Sequence, residues 1–468
     1  MIISHETRET YKNHGKMARK LEKTIRVFFC VSWKKVGLLL GKAQLVALGL
    51  FLINSAALAQ ADVYLKLSTS ERQPLELAVA GLRSKGRAVK SPSGPASQLM
   101  EILKDDLEFS LHFRVIEQPE GDQEYGFKNG KVEARAWQLL GAKMVLIPEL
   151  FQAKRADSLR VRIYDLGVER DVLTAMVPSA DNRGIAHGLC DRIVRTLTGE
   201  KGVATTRIAY CLKDGQNKEI CACDYDGHNR SRLTNFKSLN LSPNWSPDGT
   251  KLAFLSYVRH RTEIFELGLG DMAAKAVSQA EGLNTSPAYS PDGRSLALTL
   301  SRDGNAEIYI MDLGSKGLKR LTSSWAIDCS PSWSPNGREL AFNSDRPGSP
   351  QIYLMDSDGS NLRRLTFQGG YNTSPAWSPR GDRVAYVSRI NGRFQVCTIG
   401  VTGEGFAQLT FEGDNEDPSW SPDGLHLVFS SNRGGSQQLW QMHYDGSGQR
   451  AVTFGSEATM PAWGPAGK

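Results

Sequence analysis

Six aromatic residues stand at an almost constant interval in the second half of this chain: Trp245, Tyr289, Trp333, Trp377, Trp420 and Trp463, separated by 44, 44, 44, 43 and 43 residues. Each opens a variant of one tetrapeptide, from Ser246-Pro247-Asp248-Gly249 through Ser334-Pro335-Asn336-Gly337 to the degenerate Gly464-Pro465-Ala466-Gly467. A repeat of this length, with four short strands per copy, is the pattern of a β-propeller blade. In one copy, Pro331-Ser332-Trp333 ends a strand and Ser-Pro-Asn-Gly reverses the chain. Proline fixes φ at the first corner, and Gly337 takes the positive φ that closes the turn. Residues 338–342 return with Leu340 and Phe342 on one face. Residues 344–348 form a polar loop, and Gln351 to Asp356 a third strand. After the Asp358-Gly359 turn, residues 362–366 make a basic outer edge, suited to a strand that must stay unpaired. Asp356 to Gly359 lacks the downstream glutamate that a calcium loop needs.

Each strand type occurs six times. The second strands carry Ile208, Leu252, Leu296, Leu340, Val384 and Leu427, and the third strands start at Ile220, Ile264, Ile308, Ile352, Val396 and Leu439. The first repeat begins at its second strand, residues 207–211, and the last stops at its first strand, residues 460–463. The C-terminal strand therefore completes the blade begun near residue 207, closing the ring and removing two open edges. Residues 75–200 follow a different grammar. Strand-like segments at 75–82, 113–116, 144–147, 159–164 and 172–176 alternate with helical spacings at Leu99, Ile102, Leu103 and Leu107, around Trp137, and at Ile185, Leu189, Ile193 and Leu197. The expected fold class is an α/β N-terminal domain (residues 60–200) on a mixed sheet, followed by an all-β six-bladed propeller (residues 205–468) closed by its C-terminal strand.

Residues 1–59 read as an export signal peptide: a basic region, the apolar run Leu45 to Ile53, and the small-residue cleavage site Ala57-Leu58-Ala59. Met17 is an alternative start, and an uncleaved anchor the alternative reading. The segment holds ten Lys/Arg and three Glu, a net of +7, and the whole chain is also +7. The mature protein is then near neutral, so its basicity argues for no nucleic-acid partner. Among the seven cysteines, Cys221 and Cys223 share one strand face, which suits neither a zinc knuckle nor a redox pair. Most read as buried fillers, with a bridge from Cys211 to Cys221 or Cys223 open as the alternative.

The sequence offers no nucleophile elbow, no His-x-x-x-His metal pair and no phosphate-binding glycine loop. A repeated Asp in six blades is a turn residue before it is six catalytic acids. The reading is a binding module without enzymatic activity, metal or cofactor. In each blade the Ser-Pro-Asp-Gly turns share one face of the disk. The loops leading into the first strands and those between second and third strands emerge on the other. The first set carries Asn284, Thr285, Trp325, Asp328, Tyr371, Asn372, Thr373, Asn415 and Glu416. The second carries Arg302, Arg346, Arg389 and Arg433, a ring of guanidinium groups suited to an acidic protein loop unless each pairs within its own blade.

Repeats reading Ser-Pro-x-Trp-Ser-Pro-Asp-Gly-x-x-Leu-Ala-Phe, then Ile-Tyr-x-Met-Asp, then Arg-Leu-Thr, resemble those of the TolB family. So does the order of parts: signal, α/β domain, the junction from Gly202 to Tyr210, and six closed blades. The resemblance covers nearly all of residues 60–468. It implies a monomeric periplasmic adaptor, peripheral to the envelope, that binds the lipoprotein Pal and the protein TolA and serves outer-membrane integrity and constriction in division. It implies a Pal site on the loop face just described, and a TolA-binding segment at Asp62, Val63, Tyr64, Leu65, Lys66 and Leu67. Those six residues differ from the family's usual sequence. The alternative reading is a periplasmic propeller accessory to a separate hydrolase.

Overall fold

The computed structural model describes residues 73–89, 93–122, 124–151, 157–180 and 183–466. The leader and the segment Asp62 to Leu67 lie outside them. From residue 207 the chain forms six four-stranded antiparallel sheets. The first is completed from the far end of the chain: Ala458–Trp463 pairs with Arg207–Asp214, with Trp463 opposite Ile208 and Ala458 opposite Leu212. The first strands of the blades touch one another around a closed ring, so they form the inner wall.

The turn chemistry repeats as the sequence required. In the second blade Ser246 Oγ donates to Asp248 Oδ1 at 2.6 Å and accepts from Lys251 N–H at 2.9 Å, while Thr250 N–H donates to Asp248 Oδ1 at 3.1 Å. Gly249 closes the turn at φ 70°. One oxygen of the repeated aspartate is thus held by its own turn. Some of the aromatic residues before the turns reach sideways: Trp333 Nε1 donates to Ala288 O at 3.1 Å and Trp420 Nε1 to Ala376 O at 3.0 Å, both in the preceding blade, whereas Trp377 Nε1 donates to Gly381 O in its own turn. One further regularity falls on the residue before the proline that precedes each aromatic by two positions. Every first strand carries a bulge with a non-glycine residue at φ between 51 and 58°: Ser242, Ser286, Ser330, Ser374, Asp417 and Met460.

The N-terminal domain is a mixed sheet, with Phe113–Glu117, Leu75–Val79 and Met144–Phe151 parallel, then Ser158–Asp165 and Arg170–Pro178 antiparallel. Helix α1 (Pro95–Phe109) buries Leu99, Met100, Leu103 and Leu107 at the spacing of one helical face. The short α2 (Ala134–Leu139) buries Trp137, whose Nε1 donates to Gly126 O at 3.1 Å. A Cβ on Gly126 would stand 2.1 Å from that nitrogen, so only glycine fits. Helix α3 (Arg183–Thr198) packs beside α1.

The domain is seated on the propeller, and its core runs unbroken into blades 1 and 6. Its polar contacts are with residues at or next to the turns of one face: Asp226 in the Tyr225-Asp226-Gly227 turn, and His426 just beyond Asp423. Strand order places those turns on the same face as the Ser-Pro-Asp-Gly turns. The six described cysteines, Cys190, Cys211, Cys221, Cys223, Cys329 and Cys397, are buried free thiols, so the bridge left open in the sequence does not form. Cys211 lies opposite Ile220 and Cys221 opposite Tyr210, which puts Cys211 on the other face of the sheet from Cys221 and Cys223. Burial pushes the Cys211 thiol up to about 12.

Candidate partner-binding face

With the turn face occupied in part by the protein's own domain, the opposite face carries the loops between second and third strands and the connectors between blades. Seven of the residues expected in loops there belong instead to the first strands themselves: Asn284 and Thr285, Asp328, Asn372 and Thr373, Asn415 and Glu416. Asn284, Asp328, Asn372 and Asn415 are fully buried, and Thr373 nearly so. The reason is a polar clamp between neighbouring blades. In three blades the threonine of the Arg-Leu-Thr-like segment shares a third-strand side chain with the asparagine that opens the next blade's first strand. Thr366 Oγ1 accepts from Ile352 N–H at 2.9 Å and donates to Gln351 Oε1 at 2.8 Å, which also accepts from Asn372 Nδ2 at 2.8 Å. Thr410, Gln395 and Asn415 repeat the arrangement, as do Thr234, Glu219 and Asn240. Buried amides left without such partners would each cost about 1–3 kcal/mol.

Of the four arginines expected to ring this face, two are engaged within their own blades. Arg346 donates to Asp328 Oδ2 at 2.6 Å and Arg433 to Asn415 Oδ1 at 2.8 Å, both within their own blades. Asp328 needs this partner because its carboxyl is buried, so charge reversal at Asp328 tests folding rather than binding. Arg302 pairs with its neighbour Asp303 at 3.4 Å yet stays half exposed, and Arg389 is exposed. Tyr371 is half-buried, with its ring centre 5.9 Å from that of Phe394.

Large apolar side chains are also accessible on this face. Trp325 is 77% exposed, and it is joined by three residues that sequence reasoning passed over: Phe367 at 72%, Phe411 at 70% and Phe454 at 68%. The three phenylalanines follow the clamp threonines Thr366, Thr410 and Thr453 at blade spacing, which puts them at equivalent points on successive connectors. Their signal was present as Thr-Phe at the end of three repeats. The Arg364 guanidinium lies 4.8 Å from the Phe367 ring centre. Between blades 5 and 6 a polar notch of about 440 Å³ opens, lined by Arg393, Glu412, Gly413, Asp414, Asn432 and Arg433. Trp325, Phe367, Phe411 and Phe454 thus place an exposed aromatic on each of four successive connectors of this face.

One cluster has the composition of a metal site. His187, Asp224 and Asp226 bring one ligand atom each within 4.8 Å of one another. Asp226, however, is held by Arg183 Nε at 2.9 Å, and the His187 ring nitrogens face two carboxylates. Burial alone would push the His187 imidazole down, but its hydrogen bond to Asp106 and its ion pair with Asp226 hold it up at about 9. A protonated ring and a carboxylate already paired with arginine make an ion-pair cluster, not a donor set for a cation.

Fold and face together define a two-domain propeller, one side of its ring taken in part by its own α/β domain and the other uncovered by the described residues. The chain belongs to the TolB propeller family: residues 194–467 match the family described as "TolB beta propeller domain", and residues 63–172 match "TolB amino-terminal domain". Similar curated proteins include the Tol-Pal system protein TolB of Geobacter sulfurreducens, 39% identical over 212 residues that cover 45% of this chain and 49% of the relative. That of Nitrosococcus oceani is 33% identical over 248 residues, covering 51% and 55%. The chain spans about half the length of the curated relatives it matches. Among solved structures, TolB from Acinetobacter baumannii aligns over 84% of this chain and 97% of its own, with a TM-score of 0.71 and 29% identity.

Proposed function

We propose that the protein is a periplasmic adaptor of the Tol–Pal system, without catalytic activity of its own. The observation that carries this reading is the succession, in one chain, of the TolB amino-terminal match and the TolB propeller match. The relatives' printed names supply the system. In this reading the open face binds the lipoprotein Pal, with Trp325, Phe367, Phe411 and Phe454 as apolar anchors and Arg389 at the rim. The segment from Asp62 to Leu67 binds TolA by adding an extended strand to that partner. The protein then couples the two for outer-membrane integrity and constriction in cell division, acting as a monomer. The occupied turn face supports the choice of the other face for Pal. Among the described residues no helix is long and apolar enough to cross a membrane.

The test is capture from envelope extract with the exported form of the chain as bait. It should bring down a lipoprotein and TolA. Deleting residues 62–67 should abolish TolA capture and leave the lipoprotein and the melting temperature unchanged. Recovery of neither protein overturns the adaptor reading, and TolA capture that survives the deletion overturns the role of the segment.

A further inference from the structure

Beyond residue 59 the chain has six histidines, and five of them (His112, His187, His228, His426 and His443) lie where the N-terminal domain meets the propeller. Phe109, the last residue of α1, is the plug of that junction. Its ring stacks on His426 with centres 4.2 Å apart and planes at 23°. The Arg450 guanidinium carbon is 4.1 Å from the same ring centre, so the two must take opposite faces. Tyr225 and His443 stand at 5.3 and 5.8 Å. The backbone adds a latch, because His426 Nε2 donates to the Phe109 carbonyl at 2.6 Å. Three residues on, His112 has its Nε2 buried without a hydrogen-bond partner.

Two of these rings are built to be neutral. His443 faces His426 at 5.6 Å and Arg450, with Asp445 as the opposing charge. Burial first, then the His426 and Arg450 charges, hold its pKa below the ordinary 6.5. Around His112 stand Asp423 and Glu200, which favour the charged form, and His426 and Arg380, which oppose it; burial outweighs the acids and holds its pKa below 6.5 as well. An imidazolium at either place would carry a buried proton with no acceptor or a second positive charge beside Arg450.

We infer that this junction is an acid-operated hinge, in which protonation of His443 and His112 unseats Phe109 from blades 6 and 1. Undocking returns both rings to water and their ordinary affinity for protons. The docked state therefore binds fewer protons, and its stability is lost as pH falls from 6.5 through the lowered values. His187 behaves in the opposite sense. It stays charged throughout that window, so the pair between its Nδ1 and Asp106 Oδ2 at 2.7 Å remains closed. One helical turn separates Asp106 from Phe109, which makes the first the pivot and the second the moving tip.

Hydrogen–deuterium exchange on the full exported chain reads this directly. Between about pH 7.5 and about pH 5.5, protection of amides 109–113, corrected for intrinsic rates, should fall about ten-fold. Blade 4, residues 339–356, should keep its protection. In a His112→Asn, His443→Gln double variant the fall should shrink below about two-fold. If the double variant folds poorly, His443→Gln alone suffices, since that ring is half-exposed, and its fall must be smaller than that of the parent. The inference is overturned by unchanged protection in the parent, by an equal fall in the variants, or by a parallel loss in blade 4, which would mean global acid unfolding.

Discussion

Truncation after Gly455 is expected to abolish the cooperative unfolding transition of the propeller. The deleted strand supplies the edge of blade 1, where its pairing with residues 207–212 joins the two ends of the ring. Trp463 is almost wholly buried, and its Nε1 donates to Thr206 Oγ1 at 2.8 Å. Its backbone N–H donates to Ser419 Oγ at 3.0 Å, tying blade 1 to blade 6. Removing one buried tryptophan costs about 3–5 kcal/mol. The truncation also strips the ladder from one side of blade 1 and opens the core that this blade shares with α1 and α3. Against a typical total of about 5–15 kcal/mol, that loss is decisive. Calorimetry should show no two-state peak for the truncated chain. Trp463→Ala alone should lower the melting temperature while keeping a single transition. A truncated chain that melts like the parent would mean the ring is not closed by this strand.

The second large effect belongs to the buried charge cluster under the N-terminal domain. His187 is wedged between Asp106 and Asp226, and the Tyr225 hydroxyl donates to the other oxygen of Asp106. Asp106 is held above its usual range by burial, while Asp226, paired with both His187 and Arg183, is held below its own against the same burial. The proton of the His187–Asp106 pair therefore sits on the imidazole, which faces a second carboxylate. Since the folded value near 9 lies above the ordinary 6.5, the stability it contributes is fully present below 6.5 and is lost as pH rises through about 9. The loss should be on the order of 2 kcal/mol. His187→Leu leaves two carboxylates facing each other without the cation between them, at a cost of about 3–5 kcal/mol. Thermal melts from about pH 7 to about pH 10 should show an alkaline decline in the parent that the variant lacks. A parent whose melting point is flat across that range would contradict the assignment of the proton.

The ring was legible in the sequence because its determinants repeat. Tryptophan, Ser-Pro-Asp-Gly and the aliphatic strands recur at one period, and each has a local physical reason to be there. The same regularity was under-used at Asn240, Asn284, Asp328, Asn372 and Asn415. These polar residues share the blade period, so they belong to the repeat, yet as the opening residue of the first strand each reads locally as loop. Their partners, such as Gln351 for Asn372, lie 21 residues upstream in the preceding blade, and no local pattern marks that pairing. Arg346 and Arg433 turned inward for the related reason that a buried Asp328 and Asn415 had to be satisfied. The domain junction was illegible altogether. Asp106 meets residues 81 and 119 positions away, and single contacts at such separations leave no periodic trace. The exposed phenylalanines were visible as letters, but whether Thr-Phe at the end of a repeat points inward or outward depends on the packing of the next blade.

The central claim, that the open face and not the turn face receives the partner, rests most directly on one titration. Purified Pal is titrated calorimetrically into the exported chain and two sets of variants of unchanged melting temperature. Trp325→Ala, Phe411→Ala and Arg389→Glu lie on the open face, and Arg294→Glu and Arg338→Glu lie in Ser-Pro-Asp-Gly-type turns on the other. The account predicts at least about a ten-fold loss of affinity for one or more of the open-face variants and parental affinity for both turn variants. Loss confined to the turn variants, with full affinity across the open-face set, would contradict it.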